Sequence, residues 1–253
     1  MKNNKTWLTS AHRGFVDDIL CENSLAAYYN AYLNGADMIE TDARLTSDGV
    51  LIVNHDGTIT ADNGNGEKET YIIAETPSET ICSIVLSNDE KWGTQYVPTL
   101  EQVLNLAYNT GLIVNIDLKN GYKIASQVAK MVLKCGMQGR VIYALNGCAL
   151  DGINTILAID PDARFIDYSI PFAESVKDFP ERGKRCFCYH NTNLITEDIV
   201  SHIRDCGCRL ALISINEHNF EKAIKFHPDM CEFLHTSDFK TIESDYFNHL
   251  KLY

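Results

Sequence analysis

Eight short apolar runs alternate with amphipathic stretches along 253 residues, and few folds accept that rhythm. The runs are Trp7–Ala11, Asp37–Asp42, Leu112–Asp117, Val141–Ala144, Arg164–Asp167, Arg185–Tyr189, Arg209–Ser214 and Met230–His235. Between most of them, apolar residues recur at helical spacing: Ser24–Leu33, Leu100–Tyr108, Tyr122–Cys135, Ala149–Ile159, Glu197–Cys206 and Phe220–Phe226. Pro171–Phe179 is a weaker helix, since it carries few periodic apolar residues. Strands that alternate with helices build parallel sheets with helices outside. Eight β-then-α units at this length is the count for an α/β fold of the (β/α)8 TIM-barrel type. A doubly wound open sheet is the runner-up.

Local signals support the boundaries. Asn23 or Ser24 can cap the first helix, and Thr196 with Glu197 and Asp198 behind it reads as another helix start. Gly35, Gly111, Gly136 and Gly207 each follow a helical pattern, where a left-handed C-cap favours glycine. One segment breaks the alternation. Leu51–Val53 forms a ninth strand-like run directly before Asn54-His55-Asp56. Residues 57–97 then form a long polar insert containing Asn63-Gly64-Asn65-Gly66, read as a cap within a single domain spanning residues 1–253. Pro98-Thr99-Leu100-Glu101 restarts the pattern.

Charge narrows the partners. The formal net charge is −12, which argues against nucleic acid or an anionic membrane surface, since both attract basic faces. A small phosphate-bearing molecule would have to be drawn in by a cation and a few basic side chains. Met1 to Thr6 is polar and lacks a signal-peptide core, and no apolar run approaches the roughly 20 residues of a membrane span. The expectation is a cytoplasmic protein with reduced thiols among its nine cysteines. Cys186-Phe187-Cys188 and Cys206-Gly207-Cys208 each offer two sulfurs to zinc, but zinc ligands favour a longer gap, and core cysteines are the better reading.

The chemistry gathers near the N-terminus. In a barrel, reactive groups come from the C-terminal ends of strands and the loops that follow. His12 and Arg13 follow the first strand, and His55 follows the ninth run. Glu40 and Asp42 stand two apart on the second strand, so both side chains take the same face. Asp117 and Lys119 repeat that spacing on the third. Three carboxylates on two adjacent strands make a hard oxygen site suited to Mg²⁺ or Ca²⁺, and the lack of soft ligands in that set counts against zinc. Taken singly, each residue has an ordinary explanation: a solvated acidic pair, a structural histidine, a loop histidine, a surface arginine. Their order and spacing point to function.

That order resembles the glycerophosphodiester phosphodiesterases. The resemblance rests on His12-Arg13-Gly14, Glu22-Asn23, Glu40-Thr41-Asp42, Asp48-Gly49, His55-Asp56, Pro98-Thr99-Leu100-Glu101 and Asp117-Leu118-Lys119. It covers the first half of the chain. Further on it thins: Ala144-Leu145-Asn146 stands where the family often has a Ser-Phe strand end, and the family's late tryptophan is missing. Ser214-Ile215-Asn216 and Thr236-Ser237-Asp238 match its later strand ends loosely. The resemblance implies the TIM barrel with a small insert after strand two. It implies that Glu40, Asp42 and Asp117 hold a divalent cation, that His12 and His55 are the acid–base pair, and that Arg13 and Lys119 bind the phosphate. The implied activity is hydrolysis of glycerophosphodiesters to sn-glycerol 3-phosphate and an alcohol. Alternatives are a lysophospholipase D-type or cyclising phosphodiesterase acting on lysophospholipids, and a non-catalytic barrel that binds phosphodiesters. A lipid substrate would want apolar residues in the cap, where Ile72, Ile73, Ile81, Ile84, Val85 and Leu86 stand. The third metal position is usually Glu in the family and is Asp117 here.

Overall fold

The computed structural model describes residues 7–16, 18–62, 66–145, 149–179, 181–234 and 239–240. Met1–Thr6, Asn63-Gly64-Asn65, Asn146, His235 and Thr236-Ser237-Asp238, all named above, lie outside the described residues. The strands in chain order are β1 (Leu8–Ala11), β2 (Met38–Leu45), β3 (Leu51–Val53), β4 (Thr58–Asp62), β5 (Lys68–Ile72), β6 (Val85–Asp89), β7 (Gly93–Tyr96), β8 (Ile113–Leu118), β9 (Val141–Ala144), β10 (Arg164–Tyr168), β11 (Cys186–Asn191), β12 (Arg209–Ile215) and β13 (Met230–Phe233). Eight of them pair in parallel in the order β1, β13, β12, β11, β10, β9, β8, β2, and β2 returns to β1. That closure is the (β/α)8 barrel, with α1 (Leu25–Leu33), α2 (Ser78–Ile81), α3 (Leu100–Thr110), α4 (Ala125–Lys134), α5 (Ala149–Leu157), α6 (Ser169–Ser175), α7 (Arg182–Arg185), α8 (Glu197–Asp205) and α9 (Phe220–Lys225) between and around the strands. A closed sheet leaves no open doubly wound edge, so the runner-up architecture is set aside.

Local chemistry starts the helices. Ser24 caps α1 through the Ala27 amide, and Thr196 caps α8 through the Ile199 amide. Thr99 and Gln102 form a reciprocal capping box at α3, which is what Pro98-Thr99-Leu100-Glu101 does for the fold. The stretch expected as one helix from Tyr122 divides into a 3₁₀ turn, Gly121–Ile124, and α4.

Two layers fill the barrel. Met38, Ile142, Ile166, Phe187, Ala211 and Met230 form its apolar plug. Next to that plug Ser10, Asn115, Tyr189 and Glu232 form a hydrogen-bonded polar group, all buried. The helices bury a second apolar shell outside the strands, including Val103, Leu104, Val128, Val132, Ile156 and Ile203.

The strand pattern departs from expectation at β2. It runs on to Leu45 because Ala43–Leu45 pairs antiparallel with β3, so Glu40 and Asp42 lie mid-strand rather than at its end. Beyond β3 the insert folds as two hairpins, β4–β5 and β6–β7, joined through α2. Ile52, Ile73, Ile81, Ile84 and Val97 form its own small core, with Leu86 partly buried against it. Ile72 and Val85 face outward. Asp48 ties the turn after β2 to this insert: its carboxylate accepts the Ser78 amide at 3.0 Å and the Ser78 hydroxyl at 2.7 Å.

Candidate active site

The chain leaves β1 in a sharp turn that needs an unusual backbone. Arg13 has φ 53° and Gly14 φ 86°. A Cβ at Gly14 would stand 2.7 Å from the Ala27 carbonyl carbon, so only glycine lets the turn lie on α1. The turn aims the Arg13 amide at Glu40 Oε2, 3.0 Å away. The Arg13 guanidinium meets Glu22 Oε1 at 2.8 Å and Asp42 Oδ2 at 3.3 Å. Asn23, at φ 56°, donates its side-chain amide to Asp42 Oδ2 at 2.7 Å. The buried Tyr28 hydroxyl holds Asn23 Oδ1 at 2.7 Å. Glu22-Asn23 is therefore a brace for Arg13 and Asp42.

The carboxylates converge. Glu40, Asp42 and Asp117 are buried, and each places an oxygen within 4.8 Å of the others. In-register pairing of Asp42 with Asp117 across β2 and β8 brings the two strands' acids together. Lys119 Nζ bridges Asp42 Oδ1 at 3.0 Å and Asp117 Oδ2 at 2.8 Å. Glu40 is less well compensated. Burial first, then Asp42, Glu232 and Asp117, push its carboxyl well above the ordinary range, against the opposing Arg13 amide. Carboxylates packed this closely fit a hard divalent cation, which removes their mutual repulsion. The shorter Asp117 still reaches the set.

The histidines differ in setting. His12 is mostly buried, and burial together with the Arg13 charge lowers its pKa to about 4, despite the opposing pull of Asp42. His55 is more exposed, and its Nδ1 lies 2.8 Å from Asp56 Oδ1. Arg44, on the extension of β2, donates from Nε to the carbonyls of Asn54 at 3.1 Å and His55 at 3.0 Å. It pins the loop that carries His55, and the sequence reading did not single it out.

All seven residues expected at the site line one small cavity of about 70 Å³ at the barrel mouth: His12, Arg13, Glu40, Asp42, His55, Asp117 and Lys119. Asn115, Ala144, Tyr168, Tyr189 and Glu232 complete its walls. Glu232 is the main omission of the sequence reading. It is an acid inside an apolar strand, a signal that was there to be used. Its Oε2 accepts the Tyr189 hydroxyl at 2.8 Å and the Ser10 hydroxyl at 3.4 Å. Burial raises its carboxyl to about 7. His190 does not join this lining; its ring contacts the neighbouring Asn191 carbonyl. Cys186, Cys188 and Cys208 are buried core residues, and no disulfide joins the cysteines among the described residues. A larger cavity of about 480 Å³ lies between the insert and α1 and α3, lined by Leu25, Tyr29, Trp92, Tyr96 and Leu106. It holds none of the groups above.

The sequence profile of the Glycerophosphoryl diester phosphodiesterase family matches residues 12–162. The chain belongs to that family. The match begins at His12 and spans every one of the seven site residues. A glycerophosphodiester phosphodiesterase of Caldanaerobacter subterraneus subsp. tengcongensis is 33% identical over 128 residues, covering 50% of this chain and 51% of that one. One from Bacillus altitudinis is 37% identical over 112 residues, 44% of each chain. The chain thus spans about half the length of the curated relatives it matches. Solved structures extend the fold to the remainder. A Silicibacter pomeroyi protein overlays with a TM-score of 0.80 at 17% identity, over 96% of this chain and 95% of that one. An Oleispira antarctica phosphodiesterase, solved with the product sn-glycerol-3-phosphate, overlays with a TM-score of 0.72 at 17% identity, over 89% and 92%. Among the described residues, no helix is long and apolar enough to cross a membrane.

Proposed function

We propose that this chain hydrolyses glycerophosphodiesters to sn-glycerol 3-phosphate and an alcohol, as a divalent-cation-dependent enzyme. The observation that carries the reading is the convergence of two histidines, three carboxylates, Arg13 and Lys119 on one cavity, in a member of this family. Glu40, Asp42 and Asp117 would hold Mg²⁺ or Ca²⁺, which when bound supplies Lewis-acid stabilisation to phosphate oxygens. Arg13 and Lys119 face the same cavity and offset charge on the phosphodiester. His12, kept neutral by burial, accepts a proton from the attacking hydroxyl. Asp56 orients the His55 ring through Nδ1, leaving Nε2 to protonate the departing alkoxide. The attacking group is water or the glycerol hydroxyl beside the phosphate; the second route passes through a cyclic phosphate. The substrate is a small molecule, and cytoplasmic action suits it.

The test is incubation with glycerophosphocholine and Mg²⁺ or Ca²⁺, read by coupled detection of glycerol 3-phosphate. Product is expected, and His12→Ala and His55→Ala should each abolish it while leaving the circular dichroism spectrum intact. No product from the wild type, with cation binding shown by calorimetry, overturns the reading.

A further inference from the structure

We propose that a wall of Tyr168 and Tyr189, backed by Glu232, makes this site select glycerophosphodiesters whose alcohol carries a cationic ammonium group. The proposal rests on the phosphodiesterase reading above and adds its specificity. The barrel order divides the mouth. The phosphate-handling residues come from β1, β2, β8 and the His55 loop, while Tyr168 and Tyr189 come from β10 and β11 on the far side, and Glu232 from β13, which pairs with β1. The same cavity joins both sides past the small side chain of Ala144. In the pose proposed, a phosphodiester held by the first side extends its alcohol substituent along the second.

That second side is built for a cation. The Tyr168 and Tyr189 rings stack, with centroids 5.4 Å apart and planes 28° from parallel. Tyr189 is fixed: its hydroxyl donates to Glu232 and accepts from the Asn115 amide. Tyr168 lies on this platform and is 52% exposed, so it keeps an open face at the mouth. A cation over such a face is attracted by the ring quadrupole. Above about pH 7, where its buried carboxyl is ionised, Glu232 adds negative potential behind it. This carboxylate is buried and has hydroxyl partners but no ion pair among the described residues. The Tyr189 end of the wall is already hydrogen-bonded. The Tyr189 hydroxyl is already engaged as donor and acceptor, and the carboxylate oxygen facing it takes two donors. A cation gains from the Tyr168 ring face, and a neutral polyol does not.

The experiment compares kcat/KM for glycerophosphocholine, glycerophosphoethanolamine, glycerophosphoglycerol and glycerophosphoinositol at fixed Mg²⁺. The cationic pair should exceed the neutral pair by about tenfold, the scale of one well-placed cation–π contact. Tyr168→Leu should collapse that ratio toward one, and Tyr168→Phe, which keeps the ring face, should preserve it. Each ratio is taken within one protein, so altered stability or folded fraction does not enter. Equal values for all four substrates, a neutral preference, or an unchanged ratio in Tyr168→Leu would overturn the proposal and leave the phosphodiesterase reading standing. Failure to cleave any of the four overturns both.

Discussion

Replacing Gly14 with alanine should destabilise the protein far more than the same change at Gly49. Both glycines have left-handed backbones, φ 86° and 80°. Both variants therefore carry the conformational penalty of an L side chain there, roughly 1–2 kcal/mol. Their surroundings differ. A Cβ at Gly14 meets Ala27 at 2.7 Å to its carbonyl carbon, 2.8 Å to its Cβ and 2.9 Å to its oxygen, while one at Gly49 meets nothing within 4 Å. Ala27 cannot yield easily, because its amide is held by Ser24 and its carbonyl by the Phe15 amide. Forcing the two segments apart adds an overpacking cost of roughly 1–3 kcal/mol. At about 2–4 °C per kcal/mol for a chain of this size, Gly14→Ala should melt roughly 2–12 °C below Gly49→Ala. Thermal unfolding in EDTA, followed by circular dichroism, measures the gap. The turn also sets Arg13, so Gly14→Ala should lose turnover at temperatures where it is still folded. Coincident melting curves for the two variants would refute the close approach of β1's turn to α1.

Asp117→Ala should weaken cation-dependent activity far more than Asp89→Ala, a control in the insert hairpin; equal effects would remove Asp117 from the site. Stability should also depend on pH in a set direction. Burial raises the carboxyls of Glu40 and Glu232, the latter to about 7, so the folded state holds protons that the unfolded chain has released. In EDTA the melting temperature should fall as pH rises from about 6.5 through 7 and beyond, since stability declines wherever the folded state binds more protons, while between about 4 and 6.5 the lowered pKa of His12 acts in the opposite direction. Glu232→Gln should flatten that slope, and saturating Mg²⁺ or Ca²⁺ at neutral pH should raise the melting point. A melting point that climbs above about pH 6.5 in EDTA would contradict the burial of these acids.

Several motif residues turned out to serve the fold around the site. Thr99 closes a capping box, Asp48 anchors the insert, and Asn23 braces Asp42 under Tyr28. These roles are local or nearly so, which is why a short pattern can carry them. Arg44 was not legible, because its partners are carbonyls of a loop whose path the sequence does not state. The length of β2 was missed for a related reason: strand ends follow pairing, and β3 supplied a partner beyond Asp42.

Alternating apolar runs, caps and the ordered signature residues gave the barrel, and with it the first wall of the site. Those features depend on neighbours a few residues apart or on strands adjacent in sequence order. The opposite wall came only with closure. Pairing of β1 with both β2 and β13 sets Ser10 beside Glu232 in register, and the ring of strands then brings Tyr189, Asn115 and Tyr168 to the same cavity. No residue in that group is near another in the chain except through the barrel, so its meaning existed only after the sheet had closed.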